Sequence, residues 1–237
     1  MSFLSELQNK KLGVFDLLAM GFSLYLQHFR SFASLFGIVL LPFSIVINVL
    51  ALYPPSNNFA LISSLLFYLV YFFIVIPVYM IAFAVLAEGH VADKNPQIST
   101  ALNHILSQLL PLTGLSLRYG IAYALRSVLL IVPGIIYAVN NYYYSLAFIL
   151  RGQRGKAAFQ YSRTLVKGNW WKVFSFFLLV MLAAFGLPMF VGRILTSFIS
   201  NSPTLVAIVS NVIASLVSLG FGIGGVLLFL NLDYQKR

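Results

Sequence analysis

The five acidic residues of the chain all fall outside its long apolar runs, and this separation constrains the fold more than any other feature. Of the 237 residues, 60% are hydrophobic and 8% are charged, whereas a water-soluble domain carries roughly 25% charged residues. A chain of this composition has too few polar side chains to cover a water-facing surface. We therefore expect an all-α polytopic membrane protein in which residues 1–237 form a single domain.

The apolar runs divide into six segments, because a helical span needs ~20 residues. Tight turns at 54–59 and at Pro133-Gly134 help to pair these segments into three helical hairpins. The fourth segment is short, since its residues reach only about 24 Å as a helix. The six predicted spans are residues 31–53, 60–86, 111–132, 135–150, 171–191 and 203–230.

Amphipathic stretches precede the three hairpins, near 14–30, 97–110 and 156–167. Their apolar residues recur at helical spacing, which is typical of helices lying in the membrane interface. The first stretch has an alternative, a plain extension of the first span. The recurrence of surface helix and hairpin also suggests a weak internal repeat.

Basic residues set the expected topology. With six spans and an inside amino terminus, thirteen of the fifteen Lys and Arg residues lie at or near the cytoplasmic side. Short loops rich in Lys and Arg remain on that side. We therefore predict that both termini and the connector 151–169 are cytoplasmic.

The connector 151–169 carries one basic helical face, formed by Lys156, Arg163 and Lys167 together with Gln160. Trp170 and Trp171 follow, at the level where indole rings prefer the headgroup region. We expect these side chains to face anionic lipid headgroups, which attract each nearby basic residue by ~1 kcal/mol. The net charge of +10 then points to a membrane surface as partner rather than to nucleic acid.

A second polar group surrounds Arg126, which precedes Pro133 by as many residues as Asn140 follows it. In a hairpin turning at Pro133 these two side chains lie at the same depth. We consider three roles for Arg126: a hydrogen-bonded clasp with Asn140 or Asn141, a polar cleft for a lipid headgroup or anionic solute, and an arginine that snorkels to the outer surface. The same helical stripe also carries Tyr119 and Tyr123.

Small residues line one side of the sixth span, where helix backbones in lipid can approach closely. Two interpretations are open, packing within one subunit and a homo-oligomer interface. The residues concerned are Ser218, Gly220, Gly222 and Gly224.

Two segments, Pro133–Ile136 and Ala158–Trp171, resemble the membrane domain fused to some glycerophosphoryl diester phosphodiesterases. They are equally similar to the YciC-like six-helix proteins of bacteria. The resemblance implies a multi-pass protein of a bacterial-type inner membrane. Because the fused relatives carry their catalytic machinery in a separate soluble domain, it does not imply phosphodiesterase activity here.

Sites of catalysis or metal binding are not indicated by the pattern. The histidines lie far apart in the sequence, the carboxylates lie outside the spans, and cysteine is absent. We expect no enzyme activity and no cofactor. The sequence favours a non-enzymatic, lipid-interacting scaffold or accessory factor; the alternative is a transporter or channel for a lipid or small anion that uses a cleft around Arg126.

Overall fold

The chain folds into helices throughout the part that the computed structural model describes, which is residues 3–94, 96, 105–129, 131–199 and 202–236. The helices are α1 (Phe3–Asn9), α2 (Val14–Gln27), α3 (Phe29–Leu52), α4 (Asn58–Val91), α5 (Ile105–Leu129), α6 (Ile131–Asn140), α7 (Tyr144–Arg151), α8 (Lys156–Val166), α9 (Trp170–Phe198) and α10 (Pro203–Tyr234).

Four of these helices, α3, α4, α9 and α10, are long and apolar enough to cross a membrane. They coincide with the predicted spans 31–53, 60–86, 171–191 and 203–230, so the all-α class is confirmed for the described residues and these four helices are compatible with a membrane protein. The other two predicted spans fall on α5 and on α6 with α7. Six spans and cytoplasmic termini stay predictions, and the surface helix expected at 97–110 lies mostly outside the described residues.

The second hairpin differs from expectation in two places. Helix α5 is described as far as Leu129 and α6 begins at Ile131, so Pro133 lies inside the first turn of α6 and not in a turn between helices. Proline is well tolerated there because the first amides of a helix have no intrahelical partner. The prediction of one helix over 135–150 is wrong, since a turn at 141–143 separates α6 from α7.

The two helices of the first hairpin share a backbone irregularity. A π-helical turn occupies Phe36–Leu40 in α3, and another occupies Tyr71–Val75 in α4. Each turn ends two residues before a proline, Pro42 or Pro77. Proline lacks an amide hydrogen and crowds the carbonyl four residues earlier, and a π turn widens the helix where that bond is lost.

The carboxyl-terminal half of α10 forms the centre of the bundle, with every residue from Ile223 to Asp233 buried. Helix α2 packs against it through a near-contact of backbones, because a Cβ on Gly21 would lie 2.7 Å from the Gly224 nitrogen. A Cβ on Gly220 would meet Phe22, and one on Gly222 would approach Phe83. These glycines therefore pack helices of the same chain together.

Helix α2 is neither a free surface helix nor a continuation of the first span. It ends at Gln27, and His28 separates it from α3. Its apolar side, which includes Leu17 and Leu24, is buried in the same core as α10. By contrast, α3, α4 and α9 keep many large apolar side chains exposed, as expected for surfaces in contact with lipid.

Candidate functional site

The break between α6 and α7 is closed by a side chain from α8. The Ser162 hydroxyl donates to the Asn140 carbonyl at 3.0 Å and accepts a hydrogen bond from the Tyr143 amide at 3.1 Å. Ser162 is fully buried. Unpaired backbone groups in an apolar interior cost several kcal/mol, so this one hydroxyl makes the broken helix tolerable and fixes α8 against the bundle.

Helix α8 presents the basic face that the sequence predicts. Its apolar side is buried, with Phe159 and Leu165 in the core, while Lys156, Arg163 and Lys167 are exposed. The Arg163 Nε atom also donates to Asn141 Oδ1 at 3.1 Å, which adds a second link to the α6–α7 turn. The basic face therefore belongs to a helix that is packed firmly on the protein.

The two tryptophans stand beside this face at the start of α9. Trp171 is largely exposed, whereas Trp170 is partly buried and stacks on Phe174 with ring centroids 5.1 Å apart. One indole is thus fixed in the protein and the other faces outward. Contact of either with headgroups stays a prediction.

The residues expected around Arg126 form a different arrangement. The Arg126 guanidinium donates to the Ala122 carbonyl at 2.7 Å and lies 4.3 Å from the centre of the Tyr137 ring. Asn141 instead donates to the Tyr137 carbonyl and accepts from Arg163. The described hydrogen bonds of Arg126 include neither asparagine, so the predicted clasp is not formed.

Stacked tyrosines connect α5 to α6 and α7. Tyr119 stacks on Tyr123, Tyr137 and Tyr144, with centroids 6.1, 5.7 and 4.7 Å apart. The Tyr144 hydroxyl donates to Ser116 at 3.1 Å. Tyr119 and Tyr123 therefore contribute to the packing of this hairpin, and ligand binding in a cleft around them stays a prediction.

An ion cluster that the sequence did not predict joins α4, α7, α8 and α10. Arg151 donates to Asp233 Oδ2 at 2.8 Å and to Glu88 Oε1 at 2.6 Å, and the Tyr161 hydroxyl donates to Asp233 Oδ1. Burial alone would lower the pKa of Arg151, but its hydrogen bonds to the Glu88 and Asp233 carboxylates raise that pKa above the usual value. The sequence signal was available, because all three charges lie at the ends of apolar helices.

The amino-terminal helix α1 packs against the carboxyl-terminal end of α10, the end that carries Asp233. Asn231, which is fully buried, donates to the Leu7 carbonyl at 2.9 Å and to the Lys10 carbonyl at 2.8 Å. Its side-chain oxygen accepts from Lys172 at 3.3 Å. The amino terminus and the last turn of α10 therefore form one packed unit.

A cavity of about 600 Å³ lies between α3, α4, α9, α10 and the α6–α7 turn. Phenylalanine, leucine and small residues form most of its wall. Tyr79, Tyr143, Ser145 and Ser215 add hydroxyl groups. In the described part of the chain, the Tyr79 and Tyr143 hydroxyls are buried without a hydrogen-bond partner, and no hydrogen bond is described for either serine. An apolar cavity with a few polar groups is typical of small-molecule sites.

Known proteins give no assignment for these features. Comparisons of the chain with protein-family models, with curated proteins and with solved structures find no match. Among the described residues there is also no group of three or more potential metal ligands of the His, Cys, Asp and Glu types.

Proposed function

We propose that this chain is a non-enzymatic integral membrane protein that binds the anionic lipid surface of the cytoplasmic leaflet and acts there as a scaffold or accessory factor. The observation that carries the proposal is the exposed basic face of α8, beside the tryptophan pair. The apolar side of α8 is already buried in the protein. The helix therefore presents to its surroundings the charges that anionic headgroups attract.

We also propose that the chain crosses a bacterial-type inner membrane six times, with both termini in the cytoplasm. In this topology α8 lies on the cytoplasmic side and Asn57, in the turn between α3 and α4, lies outside. A cysteine at Gln153 should be protected from an impermeant thiol reagent in intact cells, while a cysteine at Asn57 reacts. The chain has no cysteine of its own, so each signal has one source. Labelling of both sites would contradict the topology.

The alternative of an anion pathway around Arg126 is not adopted. Arg126 is engaged with the Ala122 carbonyl and the Tyr137 ring. No described observation places a second cation or an asparagine amide beside it to complete an anion site.

Lipid contact can be measured through the two tryptophans, which are the only ones in the chain. We would reconstitute the protein in mixed phosphatidylglycerol and phosphatidylethanolamine nanodiscs, with bromine on the chains of one lipid at a time. Enrichment of anionic lipid beside α8 predicts stronger quenching when phosphatidylglycerol carries the bromine. High salt should reduce the difference, since it screens exposed charges.

The decisive variant replaces Lys156, Arg163 and Lys167 with glutamine. The quenching difference between the two brominated lipids should then disappear. A control variant removes three exposed cations from other helices and loops and should keep the difference. An unchanged preference in the α8 variant would refute headgroup binding by this face. The control substitutions are Lys94→Gln, Arg118→Gln and Arg193→Gln.

A further inference from the structure

The cavity between α3, α4, α9, α10 and the α6–α7 turn has the properties of a binding site for an uncharged, largely apolar molecule. Its volume of about 600 Å³ falls within the ~300–1,000 Å³ range of small-molecule sites. Among the residues that the structure describes, its lining includes no Lys, Arg, His, Asp or Glu side chain. A charged group would therefore enter without a partner, at a high desolvation cost.

The hydroxyls at the cavity wall give the site its polarity. Buried polar groups in folded proteins are almost always hydrogen-bonded, and leaving one unpaired costs about 1–3 kcal/mol. Within the described chain, the Tyr79 and Tyr143 hydroxyls are both buried without a hydrogen-bond partner, and both residues line the same cavity. Two other polar lining residues are hydrogen-bonded, since Ser218 donates to the Ala214 carbonyl and Asn211 donates to Asn48. The two tyrosine hydroxyls are thus buried, unpaired donors on residues of this wall.

The backbone around the cavity is irregular on three sides. Phe36 and Leu40 belong to the π turn of α3, Tyr79 follows Pro77 closely, and Tyr142 and Tyr143 lie in the break between α6 and α7. Irregular backbone at membrane depth is tolerated where it is buried in protein or lines a cavity. In transporters, broken helices commonly form the substrate site.

We propose that this cavity binds a lipid chain that carries an uncharged acceptor oxygen, with the Tyr79 and Tyr143 hydroxyls donating hydrogen bonds to it. An ester carbonyl on a phospholipid acyl chain and the oxygen of a free fatty alcohol share this chemistry. The site is spatially separate from the basic face of α8, because none of its described lining residues belongs to that helix.

Photo-crosslinking can test the site in the full-length protein, reconstituted in nanodiscs. One probe is a phosphatidylcholine with a diazirine on one acyl chain, and the other is a fatty alcohol with the same group. We expect one of the probes to label cavity residues, identified by peptide mass spectrometry. The probe that labels distinguishes a bilayer phospholipid from a single-chain lipid.

Three variants decide whether the label reports this cavity. Tyr79→Phe and Tyr143→Phe each remove one hydroxyl and should weaken probe binding about 5-fold, the equivalent of one neutral hydrogen bond. Ala184→Trp places a large side chain at an exposed lining position and should abolish cavity labelling. Tyr68→Phe, on the same helix as Tyr79 but outside the lining, should change nothing.

Two kinds of result would refute binding of a lipid chain in this cavity. Absence of labelling at the cavity by both probes would refute the proposal, as would wild-type labelling in Ala184→Trp or in both tyrosine variants. Gel filtration and circular dichroism check that each variant is folded. If a tyrosine variant misfolds, Ala184→Trp decides alone, because its side chain lies on an exposed helix surface. Loss of the α8 lipid preference with intact cavity labelling would refute only the proposed function.

Discussion

Replacement of Arg151 by leucine tests the ion cluster most directly. The Arg151 side chain is 12% exposed and its partner Asp233 is 0% exposed, whereas Glu88 keeps 30% of its side chain in contact with the surroundings. In Arg151→Leu, Asp233 therefore stays buried with a negative charge and loses its guanidinium partner, while it keeps the hydrogen bond from the Tyr161 hydroxyl. Glu88 can be solvated instead, so its loss of the pair costs less.

The magnitude follows from the burial of Asp233. Removing one member of a buried ion pair costs about 3–5 kcal/mol, chiefly because the other charge is left uncompensated. Replacing both members by apolar residues is often neutral, and here it also removes the hydrogen bond from the Tyr161 hydroxyl to a charged acceptor, which contributes about 1.5–3 kcal/mol. We expect Arg151→Leu/Asp233→Leu to be more stable than Arg151→Leu by about 2 kcal/mol.

The assay is reversible unfolding by sodium dodecyl sulfate in mixed micelles, followed by tryptophan fluorescence. Lys10→Leu is the matched control, because it breaks an exposed ion pair with Glu6 at 3.7 Å and should cost less than ~1 kcal/mol. A double variant no more stable than Arg151→Leu would refute the reasoning, since it would mean that removing the buried Asp233 charge gains nothing.

Two further predictions concern packing, and both use the same unfolding assay. Gly21→Ala should lower the free energy of unfolding by about 1–3 kcal/mol, because its Cβ would lie 2.7 Å from the Gly224 nitrogen. The control is Gly186→Ala, whose Cβ would have nothing within 4 Å and which should be neutral or stabilising. Equal losses of stability in the two variants would contradict the close approach of α2 and α10. His90→Phe should maintain or raise stability by about 1–3 kcal/mol, because His90 is buried, stacks on His28 at 3.8 Å and has two ring nitrogens without a described partner. A clear loss of stability in His90→Phe would indicate that those nitrogens are hydrogen-bonded in the membrane.

Long-range features of this chain were harder to predict than its periodic ones. The four long apolar helices and the two faces of α8 follow from composition and spacing, so the sequence predicted them well. The break at 141–143 has only a weak local signal, the Asn140-Asn141 pair, since this stretch contains neither proline nor glycine. It depends on Ser162, which is distant in sequence and supplies the hydrogen bonds that the turn lacks.

The error at Arg126 has a geometric cause. Pairing it with Asn140 assumed a turn centred on Pro133, whereas Pro133 lies in the first turn of α6, which begins at Ile131. Moving the turn toward the amino terminus brings an earlier residue of α6 to the depth of Arg126, and the observed partner is Tyr137. The cavity was missed for a related reason: its wall is assembled from five separate segments, and no single stretch contains its pattern.

Ser162 has a mechanical consequence for the whole protein. Its hydroxyl bonds the Tyr143 amide, and Tyr143 belongs to the cavity wall. A shift of α8 relative to the bundle must therefore break hydrogen bonds at that wall or move the wall with it. A ligand or surface that displaces α8 therefore also changes the cavity wall. By linkage, a ligand that changes the wall alters the binding free energy at α8 by the same amount.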